Sequence, residues 1–191
     1  QRQMCIRDSS REERAKHPKL PAEKFVIQDD PFHSGSKLCC IPTPEIDTAI
    51  IHAQMASPDG TVRIMGASFQ DVDIAMAAKH TIVSCEELVD NEEIRRHPEL
   101  NALTGLCVDA VVHAPCGAHP SQCFNYYDYD SQYYLMYDRV SRTQEEFDKF
   151  IEEYVNDCPT HMEYLNKIGA ARLQELKIKP GYGYVPGLKR R

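Results

Sequence analysis

An excess of basic residues is the first thing this 191-residue sequence lacks: 22 Lys and Arg stand against 29 Asp and Glu, a formal net charge of −7. No broad cationic face is available to track a phosphate backbone, so nucleic-acid binding is disfavoured. Long apolar runs are missing too. The longest, such as Ala49–Ile51 and Ala110–Val112, fall far short of the roughly 20 residues a membrane helix needs, so no helical membrane span is expected. Cysteine is plentiful at eight residues, yet too sparse for a disulfide scaffold, and no charged-then-apolar leader precedes it. That combination points to a reducing cytoplasm in which most thiols, including the adjacent Cys39 and Cys40, are unpaired packing groups. No solenoid-period repeat is present. At 42% hydrophobic and 27% charged, the length suits one domain with a sizeable core.

The opening run Gln1–Asp8 has neither helical nor strand periodicity, and its string RQMCIRDS resembles a translated sequencing adapter. Residues 1–9 are therefore read as a non-native leader, with 10–191 as the protein proper. From Ser9 to Pro42 the mixture of charge, Pro18, Pro21, Pro31 and Gly35 reads as linker and surface loop. Thr48–Ala53 is β-branched and almost continuously apolar, the pattern of a strand buried on both faces. The Pro58-Asp59-Gly60 turn, a short strand over Thr61–Met65, a helix starting at Ser68 with Phe69, Val72 and Met76 on one face, and strands over Thr81–Ser84 and Leu106–His113 follow. Alternation of this kind signals an α/β fold with an open, mostly parallel sheet and flanking helices. From Asp130 onward a helical C-terminal tail is expected. Tyr133, Met136, Tyr137 and Val140 make one stripe, and Phe147, Phe150, Ile151 and Tyr154 another. Capping boxes pair Thr143 with Glu146 and Thr160 with Glu163, and Gly169 breaks the third helix.

The densest chemistry lies in HAPCGAHPSQCFNYYDYD, His113–Asp130, directly after a predicted buried strand. Ligands of open parallel sheets sit at the carboxyl ends of strands, so this loop is well placed to bind one. Gly117 would let backbone amides approach a substrate oxygen, and His119 could donate to a carboxylate or thioester carbonyl or, equally, cap a structural loop. His113, Cys116, His119 and Cys123 invite a zinc reading, but four ligands in eleven residues stiffened by Pro115 and Pro120 are cramped, and no metal is expected. A Cys116 nucleophile beside a histidine has weaker support than a buried thiol. Phe124 and the six tyrosines from Tyr126 to Tyr137 have little positive charge near them, so they read as an interface or pocket rim, or as plain helix packing. Glu86 and Glu87 follow a predicted strand and either act as paired carboxylates or cap a helix. His52 reads as a hydrogen-bonded core histidine, and Lys189, Arg190 and Arg191 as a solvated basic tag or a phosphate contact.

DTAIIHAQ at 47–54, the Pro58-Asp59-Gly60 turn, AAKHTIVSCEELV at 77–89, LCVDAVVHAPCGAHPSQC at 106–123 and YYDYD at 126–130 together resemble the A-type subunit of the class I CoA-transferases, in the glutaconate CoA-transferase branch. The resemblance runs from about Glu23 to the C-terminus. It implies a parallel-sheet α/β fold and an active site formed with a B-type CoA-transferase subunit in a hetero-oligomer. A glutamate of that partner attacks an acyl-CoA thioester, so no catalytic nucleophile is expected here and no cofactor beyond CoA as substrate. Gly117, Ala118, His119, Pro120 and Ser121 match the family's GAHP loop and would help form the pocket for the acyl group or acceptor acid, with Tyr126 and Tyr127 beside them. Cys116 replaces an expected aromatic residue before the glycine. The family's N-terminal α/β section has no counterpart ahead of Ser9, so a C-terminal part of such a subunit is expected, with an open sheet edge and poor solubility or obligatory partner binding when it is expressed alone. A ring-opening acyl-CoA hydrolase on the same architecture and a non-catalytic interaction subunit are the alternatives. The acid used, glutaconate, a 3-oxoacid or another dicarboxylate, is not specified by these residues.

Overall fold

The computed structural model describes residues 11–16, 21, 23–43 and 45–190; the expected leader lies outside them. The chain divides into two compact units, Gln1–Asp47 and Thr48–Arg191. In the first, a short helix α1 (Arg11–Ala15) precedes strands β1 (Val26–Asp29) and β2 (Lys37–Cys40). These pair antiparallel with Val26 opposite Cys40 and Asp29 opposite Lys37. A hairpin thus occupies a stretch read from the sequence as loop. Its turn is closed by Asp30, whose carboxylate accepts from the amides of Phe32 (2.8 Å) and His33 (3.2 Å). Its strands are exposed, so the buried-face alternation that announces a strand is absent.

The second unit is built on strands β3 (Ile46–Ala56), β4 (Val62–Arg63), β5 (Ala78–Leu88) and β6 (Ala110–His113), in the spatial order β4-β3-β5-β6. β4 returns antiparallel to β3 across the Pro58-Asp59-Gly60 turn, and β6 runs parallel to β5 with Ile82 opposite Ala110 and Cys85 opposite His113. Contacts between β3 and β5 advance together, from Ser84 Oγ on the Ile51 carbonyl to the Val89 amide on the Ala56 carbonyl, so these strands are parallel as well. The expected mostly parallel sheet is present. Expected burial of the first strand on both faces holds only for its second half: Ile50 is 77% exposed, whereas Ala53 and Gln54 are both buried.

Other boundaries move for identifiable reasons. Helix α2 (Asp71–Ala77) starts after Gln70 rather than at Ser68, leaving Phe69 outside it and Met76 on its exposed side, while Val72 packs on the core. β5 extends past Ser84, so Glu86 and Glu87 lie inside the strand. The cap position of helix α3 (Asn91–Arg95) is Asp90 instead. Leu106 and Cys107 sit in a turn closed by the Cys107 amide on Thr104, which delays β6 to Ala110. The core beneath the sheet is made of small aliphatics, Ile51, Ala53, Ala56, Val62, Ala75, Val83, Cys85 and Leu103. On β5 this sends Val83 and Cys85 to one face and Ser84 and Glu86 to the other, as the period of two requires.

Four helices follow: α4 (Ser131–Val140), α5 (Gln144–Ile151), α6 (His161–Ile168) and α7 (Ala170–Leu176). Their packing is aromatic. Tyr133 and Tyr137 of α4 meet Phe147, Phe150 and Tyr154 edge-on at 5.4–6.4 Å between ring centres, so these two tyrosines serve ordinary packing. Thr160 and Glu163 form the complete capping box, whereas Thr143 accepts from the Glu146 amide and gives its hydroxyl to Glu146 Oε2 without the return bond from its own amide. Gly169, at φ 89°, ends α6 and starts α7, the left-handed break its residue type allows. No helix among the described residues is long and apolar enough to cross a membrane.

Candidate active site

The loop His113–Asp130 leaves the carboxyl end of β6 and returns into α4, at the edge of a parallel sheet where ligands are bound. Its inner end is held by Glu86. This side chain is 4% exposed, and three donors converge on its carboxylate. His52 Nε2 of β3 (2.6 Å) and the Tyr127 hydroxyl (2.6 Å) donate to Oε1, and the Cys116 amide (2.7 Å) donates to Oε2. The Tyr127 oxygen in turn accepts from the Ala118 amide at 2.9 Å. Burial works to raise the Glu86 pKa, but the bonds from His52, Tyr127 and Cys116 outweigh it and hold the carboxyl below its ordinary value. Tyr127 shows the reverse: burial and the adjacent carboxylate push its phenol well up, so it stays a neutral donor. His52 is completed by Ser84 Oγ at 2.8 Å from Nδ1, the core histidine expected from the sequence.

Gly117 packs on this network. A Cβ there would lie 2.6 Å from the Ala114 carbonyl and 2.8 Å from His52 Cε1, so only glycine lets the loop pass over the imidazole. Its own amide is spent on Ala114, closing a turn. The residue before it, Cys116, takes a left-handed φ of 60°, which aims its amide at Glu86.

The outer end is held by Asp130. Its side chain, 4% exposed, caps α4 by accepting from the Gln132 and Tyr133 amides. It also receives Arg172 Nη2 (2.6 Å) and Nε (3.1 Å) from α7, while its own amide donates to the Pro120 carbonyl. Burial opposes the charge, yet Arg172, the Tyr133 amide and His119 bring the carboxyl down to about 2. His119 lies between Asp130 (Nε2, 3.2 Å) and the Tyr164 hydroxyl (Nδ1, 2.7 Å), with its side chain 1% exposed. Burial lowers its pKa despite the carboxylate beside it. Both ring nitrogens are therefore engaged inside the protein.

The remaining candidates divide the same way. Ala118 and Tyr127 belong to the buried network, and Tyr126 is half-buried with its phenol on Glu87. Gly117 and Ser121 face outward, Pro120 is half-buried, and Ser121 Oγ meets the Tyr134 hydroxyl at 2.6 Å. The four closely spaced His and Cys residues are not gathered: His119 turns to Asp130 and Tyr164, and His113 Nε2 meets the Glu86 carbonyl at 3.2 Å. Instead His52, Glu86 and Cys123 bring ligand-type atoms within 4.8 Å of one another, with Glu86 already holding three donors. Burial pushes the Cys123 thiol up to about 12 and raises that of Cys116, which removes the thiolate a nucleophile needs. Arg190 is no free basic tag. It reaches Asp128 and lies over the rings of Tyr129 and Tyr184, while Arg191 lies outside the described residues. Sequence reading missed the pairing of His52 with Glu86 and of Asp130 with Arg172; its one signal was that His52 lies in one predicted strand and Glu86 just after another.

Residues 31–114 match the family model for coenzyme A transferase. The A-type subunit of glutaconate CoA-transferase from Acidaminococcus fermentans is 59% identical over 175 residues, which is 92% of this chain and 55% of that protein. The crystal structure of glutaconate coenzyme A-transferase from that organism superposes with a TM-score of 0.87 at 58% identity, over 92% of this chain and 56% of that one. The A-type subunit of 3-oxoadipate CoA-transferase from Pseudomonas knackmussii is 35% identical over 162 residues, 81% of this chain and 54% of that protein. The cholesterol ring-cleaving hydrolase IpdA subunit of Rhodococcus jostii is 28% identical over 139 residues, 70% of this chain and 47% of the other. The chain spans about half the length of the curated relatives it matches. With 59% identity and a TM-score of 0.87, each over 92% of its length, this chain belongs to the coenzyme A transferase family.

Proposed function

We propose that this chain acts as the A-type subunit of a heteromeric acyl-CoA:carboxylate CoA-transferase of the glutaconate type. The observation that carries the reading is the 59% identity to the corresponding glutaconate CoA-transferase subunit across 92% of the chain. The nucleophilic glutamate belongs to the B-type partner. This chain supplies the wall of the acyl or acceptor pocket, with no cofactor besides the CoA thioester that is its substrate. In that division of labour His119, Pro120, Ala118 and Tyr127 hold the loop, and Gly117 and Ser121 present its outer face to the carboxylate or thioester oxygen, with Tyr126 at the rim. The buried carboxylates support it: Glu86 is met by three donors and Asp130 by an arginine, so both are engaged in holding the fold. Seven described cysteines, all free, favour a reducing cytoplasmic setting.

The test is co-expression of the complete gene product with the adjacent B-type subunit, following an acyl-CoA with and without excess acetate. Acetate-dependent acetyl-CoA formation is the expected result. Free CoA released without an acceptor would make the complex a hydrolase and overturn the proposal.

A further inference from the structure

Among the described residues, Glu86 is the buried carboxylate of the sheet whose three acceptor contacts serve three different segments: β3 through His52, the loop start through Cys116 and the loop end through Tyr127. It receives no arginine or lysine among those residues, so its partners are an imidazole, a phenol and a peptide amide. We infer that Glu86 is a positioning residue for the candidate pocket, fixing the backbone of residues 116–118 by binding the Cys116 amide directly and the Ala118 amide through Tyr127. The inference rests on the transferase reading for its consequence in catalysis, but its geometry stands without it.

Acceptor count makes the carboxylate necessary. Its two oxygens have room for all three donors. A glutamine of equal size keeps one oxygen and turns an NH₂ toward at least one of those N–H or O–H groups. That takes an acceptor from the Cys116 amide, or from His52 and the Tyr127 hydroxyl together, and forces the imidazole tautomer or the hydroxyl to reorient, whereas in the native site no buried side-chain nitrogen or oxygen among the described residues lacks a partner. The Cys116 amide, aimed by its left-handed backbone, reaches Glu86, and the Ala118 amide reaches Tyr127, on either side of the Gly117 passage over His52. Losing the carboxylate therefore frees the segment whose outward face is Gly117, while β5 keeps its ladder to β6 and the core side of the strand, Val83 and Cys85, is untouched.

The test compares wild type with Glu86→Gln by amide hydrogen exchange and mass spectrometry, and by kinetics in the complete heteromeric complex. Exchange across 114–123 is expected to quicken about tenfold or more while peptides covering 49–56 and 80–85 keep wild-type rates. In the complex, kcat is expected to fall on the order of 100-fold with KM for acyl-CoA within about twofold, the signature of positioning lost in the transition state rather than of ground-state binding lost. Tyr127→Phe, which removes one tether and no charge, should move the same loop peptides by a smaller amount; it carries the test if Glu86→Gln does not fold. Unchanged loop exchange, or exchange rising equally throughout the sheet, would overturn the inference. So would an unchanged kcat in an active complex. A wild-type complex without CoA transfer would instead remove the transferase reading and leave the exchange experiment to decide the role of Glu86.

Discussion

Glu86 and Asp130 hold the two ends of one loop, yet they are built differently. Glu86 projects from a strand and is met by neutral hydrogen-bond donors and an imidazole, whereas Asp130 opens a helix and is met by a guanidinium, two helical amides and His119. The surroundings differ in the same sense. Small aliphatics pack behind the sheet, and rings pack around the helical tail. The Asp130 end is an electrostatic clamp whose strength follows charge, and the Glu86 end is a template whose strength follows the match of donors to acceptors beneath the glycine passage.

The contrast breaks most visibly at Arg172. Arg172→Ala leaves Asp130 buried without its cation and is expected to cost about 3–5 kcal/mol in denaturant unfolding, loosening α4 and α7 before the sheet; an effect under about 1 kcal/mol would mean the pair contributes no clamp. Gly117→Ala probes the other end by shape alone. Its Cβ would enter the space of the Ala114 carbonyl and His52, and a loss of about 1–3 kcal/mol is expected, read from the melting curve with no change in its pH dependence.

Acid sharpens the comparison next. Asp130 has a folded pKa of about 2 against an ordinary value of 3.8, so the unfolded state binds its proton first. The stability it contributes, about 2 kcal/mol, is complete above pH 3.8 and lost as pH falls toward 2. His119, lowered from 6.5 by burial, acts in the same direction over a higher window, so stability begins to decline below pH 6.5. Circular dichroism of an Asp130→Asn variant should show the lower limb flattened; an unchanged limb would remove Asp130 as its source. The smallest effect is at the surface: Thr160→Ala should cost about 1 kcal/mol through its capping box, and Thr143→Ala less, because only one of the two reciprocal bonds is present there.

The sheet was legible wherever burial imposed a pattern. The runs at Thr48–Ala53 and Thr81–Ser84 each mark a real strand, and the stripe Tyr133-Met136-Tyr137-Val140 marks α4. The hairpin at Val26–Cys40 was not, because its exposed strands carry no alternation. At the loop, the order of residues located the region but not the direction of its side chains. His119 reads from the sequence equally as a donor to substrate or as the cap of a structural loop; its inward turn depends on Tyr164 and Asp130, 45 and 11 residues away. Glu86 read as a helix cap because the strand's true end at Leu88 is set by pairing rather than by local composition.

If the carboxylates of this chain position the loop while the nucleophile lies in the partner, the covalent intermediate must form on the partner alone. Mass spectrometry of each separated polypeptide after the heteromeric complex has been incubated with acyl-CoA tests this directly. A CoA adduct on a glutamate of the B-type partner, with this chain at its unmodified mass, is the predicted result; an adduct mapped to Glu86 or to any other carboxylate of this chain would contradict the account.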